Sequence, residues 1–279
     1  MANKSSENKK RKKNIKDISK YDEFELLLLN LQVKIILIYM ISDVFLVSGT
    51  FDSLNLCCNK KDVDNNPIIL LLEGQYLALL ASILIFYVSF SRYDQLMGRY
   101  EKEEINKSIE PENLIRQASV LTVILYKLEI IGYGKLYKAS LIINVFKCDK
   151  KDIDILYLQA YCFILRFYGD YFLLRSTLKG INLIKSKYDK RIKKIKNPDE
   201  DAVIAAELYV MQRGVLYDIG YNALVNLIKN GSELEKEVLL PTKQIFVTAN
   251  AFGIIGNIIS LVGIIKIYNR NLNEPIFGR

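Results

Sequence analysis

Gln244 to Ile265 reads QIFVTANAFGIIGNIISLVGII, 22 residues without a charged side chain. As a helix this run reaches about 33 Å, enough to cross a hydrocarbon layer about 30 Å thick. Lys243 closes one end, and Lys266, Tyr268 and Arg270 close the other, where interfacial anchors belong. The chain is therefore expected to be an all-α integral membrane protein with its C-terminal transmembrane helix at 244–265.

Two more apolar stretches lie upstream. Pro67 to Phe90 (PIILLLEGQYLALLASILIFYVSF) carries Glu73 as its only charge, and Ile35 to Phe51 (IILIYMISDVFLVSGTF) carries Asp43 in its middle. Leu26 to Leu29 extend the latter backwards, so one long helix can begin near Asp22. The polar link Asp52–Asn66 joins the two, which predicts a transmembrane hairpin over 24–91 with spans at 33–51 and 67–90. Met1 to Glu23 holds eight Lys and Arg, against Lys60 and Lys61 in the link. The excess of basic residues puts the N-terminus in the cytoplasm of a multi-pass cell (inner) membrane protein, with 1–23 as a basic, disordered tail.

Residues 92–243 mix both charge signs and read as a helical cytoplasmic domain, leaving 266–279 as a short tail. The basic run KSKYDKRIKKIK (185–196) belongs inside, which argues against a further crossing by Ile155–Leu174. That segment, ILYLQAYCFILRFYGDYFLL, has only Arg166 and Asp170 as charges, four apart and able to pair on one helix face. GYGKLYKAS (132–140), YGDYFLLRS (168–176) and QRGVLYDIG (212–220) each set a Gly after an apolar stretch with an aromatic close by. The first two glycines, Gly134 and Gly169, are 35 residues apart. This pattern resembles tetratricopeptide-like repeats, which implies helix–turn–helix pairs with the glycines at turns. A plain helical bundle is the alternative.

The composition narrows the chemistry. The chain has 279 residues, a net charge of +8 and no His, which removes His-based acid–base catalysis and His-ligated metal sites. No phosphate-binding loop, dinucleotide fingerprint or nucleophile elbow is present. The protein is not expected to be an enzyme, and no cofactor or metal is expected. Four Cys are too few for a disulfide framework; Cys57 and Cys58 are adjacent, while Cys148 and Cys162 have no companion at metal-ligand spacing.

Polar residues inside the predicted spans are the remaining candidates. Asp43, Glu73, Asn250 and Asn257 are intramembrane polar groups, expensive to place in lipid and for that reason of interest. Ala249, Gly253, Gly256, Ser260 and Gly263 form a small-residue seam spaced for close helix packing, against the hairpin or a second copy. The expected function is a membrane anchor for a helical domain that binds another protein through 92–243. The alternative is an oligomeric channel-like or membrane-disrupting protein packed through the 249–263 seam. The partners expected are the lipid bilayer and a protein, with a homo-oligomer compatible with the seam and no nucleic acid. The Lys-, Ile- and Asn-rich usage resembles that of proteins from AT-rich bacterial genomes.

Overall fold

A computed structural model describes residues 18–58, 66–146, 148, 150–189, 191–192 and 197–272. It contains six α-helices: α1 (Lys20–Cys57), α2 (Pro67–Glu101), α3 (Glu110–Ser140), α4 (Lys150–Tyr188), α5 (Asp199–Asn230) and α6 (Glu233–Asn271). Among the described residues there is no strand. The all-helical expectation is met, and three helices, α1, α2 and α6, are long and apolar enough to cross a membrane. The expected tail 1–23 lies outside the described residues up to residue 17, as do 273–279 and residues 59–65 of the Asp52–Asn66 link.

Local sequence sets the helix ends. Ser19 Oγ accepts from the Asp22 backbone N–H at 3.1 Å, and Asn66 Oδ1 from that of Ile68 at 3.0 Å, with Pro67 in the first turn. Each such cap satisfies a donor that the helix cannot. Acidic side chains at Asp199, Glu200 and Asp201 favour the start of α5, and Asn230-Gly231 ends it. Ser232 and Glu235 form a reciprocal capping box that starts α6 eleven residues before the apolar run. That helix continues through Pro241. Residues 102–109 form the short link expected near Pro111.

Each helix packs on two neighbours, giving a closed ring in the order α1, α2, α3, α6, α5, α4. Neighbours are antiparallel throughout. Ser19 at the start of α1 meets Tyr188 at the end of α4, and Glu112 at the start of α3 meets Arg270 at the end of α6. The neighbour pattern is unchanged when α1, α2 and α3 are exchanged with α4, α5 and α6. The ring thus divides into two three-helix halves with the same order of neighbours.

Residues 92–243 form no separate packing unit. Their helices α3, α4 and α5 lie lengthwise in the same ring as the three apolar helices. The repeat expectation is overturned as well. Gly134, Gly169 and Gly214 sit inside continuous helices and not at turns. The reason at Gly169 is close helix approach: a Cβ there would lie 2.6 Å from the Tyr209 ring. The α6 seam also serves close approach, and its partner is α3. A Cβ at Gly256 would lie 3.2 Å from Leu121, and one at Gly263 3.0 Å from Ile115. Ala249 is fully buried among Ala78, Leu125 and Tyr126, while Ser260 borders an interior cavity.

Candidate functional site

Six helices in a ring leave an axial space that side chains must fill, and here much of the filling is polar. From α4, Arg166 reaches the carboxylate of Asp43 on α1 through Nε. Its Nη1 donates to the Tyr126 hydroxyl on α3 at 3.2 Å, and its Nη2 to Ser42 Oγ on α1 at 3.0 Å. Ser42 passes its own proton to the backbone carbonyl of Gly74 on α2, at 2.8 Å. One guanidinium thereby ties four helices together, because its planar fork offers donors in several fixed directions.

A second arginine repeats the device on the other side of the ring. From α5, Arg213 Nη1 donates to Glu129 on α3 at 2.5 Å and to Asn250 on α6 at 3.1 Å. Both arginines stand over the Tyr126 ring, at 5.7 Å for Arg166 and 5.5 Å for Arg213. Asp43, Arg166, Glu129 and Arg213 are each at most 4% exposed. A buried charge of this kind is tolerated only when paired, so each arginine sits with its own carboxylate.

Beside this layer, Asp170 Oδ1 accepts from the Tyr209 hydroxyl at 2.5 Å. Asn257 Nδ2 donates to the Tyr209 backbone carbonyl at 2.9 Å, fixing that residue between α4 and α6. Several buried polar atoms have no protein partner: Asp43 Oδ2, Asp170 Oδ2, Glu129 Oε2 and the amide nitrogen of Gln212 among them.

The charged layer separates two cavities. One, of about 300 Å³, opens towards Cys57 and Cys148 and reaches Glu129 and Asn250 from above. The other, of about 150 Å³, is bordered by Arg166, Asp170, Tyr209, Gln212, Arg213 and Asn257. Both are mainly apolar. The second carries the unpartnered Asp170 oxygen and Gln212 nitrogen.

Both ends of the ring are tied. At one, Cys57 is bonded to Cys148, a single disulfide in a chain whose four Cys are too few for a disulfide framework. The spacing in sequence gave no sign of it, since the fold brings the end of α1 onto the α3–α4 link. At the other end, Arg92 holds Glu25 at 2.8 Å, Lys266 holds Glu110 at 2.6 Å and Lys179 holds Asp201 at 2.6 Å. Burial pushes the Glu25 carboxyl above the usual carboxylate range even with Arg92 beside it.

The intramembrane polar candidates separate accordingly. Asp43 and Asn250 belong to the charged layer, and Asn257 borders the smaller cavity. Glu73 is exposed on the outside of α2, apart from the others. Arg166 pairs with Asp43 across helices, not with Asp170 on its own helix as the spacing predicts. Arg213, Glu129, Tyr126, Tyr209 and Gln212 were not singled out in the sequence. The available signal was a lone charge amid apolar neighbours, as in YVMQRGVLY around Arg213. Among the described residues no group of three or more metal-ligating side chains occurs. No protein-family model, curated protein or solved structure matches the chain, which leaves the site's own geometry to speak for its role.

Proposed function

We propose that the chain is a six-span membrane carrier whose smaller cavity binds a small polar solute between Asp170, Gln212 and Arg213. The observation that carries this reading is the closed ring with buried, partly unsatisfied polar groups from α3, α4, α5 and α6 around one cavity. Unpartnered buried polar atoms are costly, about 1–3 kcal/mol each, and a polar solute offsets that cost when it binds. Asp170 Oδ2 calls for a donor, while the Gln212 amide calls for an acceptor. The fitting class is a compact solute of amino-acid size that carries both.

Three features support six crossings. The outer face of α4 is uncharged from Tyr157 through Tyr161, Ile164 and Tyr168 to Tyr171, while Arg166 and Asp170 point inward. With six spans, every strongly basic segment falls at one end of the ring. Seven Lys and Arg precede α1, two lie in 102–109, five in 189–198 and one in 272–279, against Lys60, Lys61 and Lys147 at the other end. The run 185–196 is then inside without excluding α4 from the membrane. The Cys57–Cys148 bond suits the opposite, oxidising side.

Lys127 on α3 and Asp218 on α5 are exposed on either side of α6. Helix rise places them at similar heights, about 26 Å and about 28 Å from the basic end. A second copy set against this face by a two-fold would bring Lys127 onto Asp218 of the partner subunit and cover both.

The test is uptake by proteoliposomes of labelled amino-acid-sized zwitterionic, cationic, anionic and neutral solutes. The carrier reading expects uptake of one class, reduced at least tenfold by Gln212→Leu and Arg213→Met. Folded protein that neither binds nor moves any class would overturn it.

A further inference from the structure

We infer that Asp43 and Asp170 form a binding site for one proton at the centre of the ring, an inference that rests on the carrier reading for its use but not for its existence. Arg166 pairs with Asp43 on α1, and Asp170 stands one helical turn along α4 from Arg166 and borders the same cavity as that arginine. Asp43 gives its Oδ1 to Arg166, and Asp170 its Oδ1 to Tyr209. In each, Oδ2 is buried and meets no protein donor. Two buried carboxylates grouped with one arginine cannot both stand ionised, so the pair holds one proton.

The surroundings fix how many protons the pair holds. Arg166 faces it from α4, Tyr39 from α1, Tyr209 and Arg213 from α5, and Tyr126 from α3. Arg213 is committed to Glu129. Arg166 thus has one charge to offer two aspartates, and one proton balances the other. The proton is held when the neighbouring cavity has no cation. A solute's ammonium or other donor at Asp170 Oδ2 takes its place, and the proton leaves to water, so solute and proton exchange one for one at this atom.

Infrared spectroscopy of the purified full chain in detergent reads the proton directly. A protonated carboxyl gives a band above the amide region that shifts in heavy water. We expect that band at neutral pH in the native chain and its loss in Asp170→Asn, whose amide replaces the shared proton as a donor to Asp43. Tyr209→Phe removes a hydrogen bond to Asp170 and should shift the band without abolishing it, which a purely structural role would not do. Should Asp170→Asn fail to fold, Asp43→Asn serves, since Asp170 then turns to Arg166 and ionises. Identical spectra for native and variant chains would overturn the inference. The band without solute binding would retain the proton site and sink the carrier reading; solute binding without the band would do the reverse.

Discussion

At Gly169 the chain uses the smallest residue to bring a hydroxyl to a carboxylate. The Tyr209 ring lies where a Cβ would stand, and its hydroxyl reaches Asp170 from there. Gly169→Ala should push the ring away and destabilise the fold by about 1–3 kcal/mol, measured as a lower melting temperature in detergent. Gly214 has nothing within 4 Å of its would-be Cβ, so Gly214→Ala should be neutral or stabilise by up to about 1 kcal/mol through helix propensity. Equal losses at the two positions would contradict this placement. In the sequence the two glycines look alike, each preceded by apolar residues with an aromatic nearby. Only the neighbouring helix tells a contact glycine from a spare one. The same holds for Asp43, legible as a buried carboxylate but not as the partner of a residue 123 positions away.

Among elements, α6 was the most legible and α4 the least. The long uncharged run of α6 needs no partner to be recognised, and its seam predicts close packing whichever helix receives it. On α4 the ends are highly charged and the middle is not, so average hydropathy conceals an uncharged outer face. Inward-facing Arg166 and Asp170 add charge that lipid never meets. A period-based repeat reading failed there because turns and close contacts both select glycine. The outer faces of α3 and α5 yield a test of the paired copies. Lys127→Asp should convert a dimer to monomers in detergent, and the double variant with Asp218→Lys should restore it, followed by light scattering. A native chain that is monomeric at all concentrations would remove the second copy.

For the whole molecule, the six crossings proposed above rest on where basic segments and the disulfide fall. Single cysteines at Val145 and at Asn197 in a Cys58→Ser, Cys162→Ser background test it in intact cells with a membrane-impermeant thiol reagent. Six crossings predict labelling at 145 but not at 197. Labelling at 197 alone would invert the molecule, and labelling at neither or both would break the count. Hydropathy supports three crossings by itself; the proposal of three more rests on the ring, which shows which charges face inward.

The matching neighbour order of the two halves has a mechanical consequence. Helix order alone does not distinguish the two ends of the ring, so it does not decide at which end the interior meets water. The fastenings decide it. At the Cys57 end a covalent bond clasps α1 to α4. At the Ser19 end the same two helices are held by Tyr188 and Lys187 on Asp22, contacts that can let go and re-form. On the carrier reading, the covalent end would serve as the hinge and the ionic end as the latch.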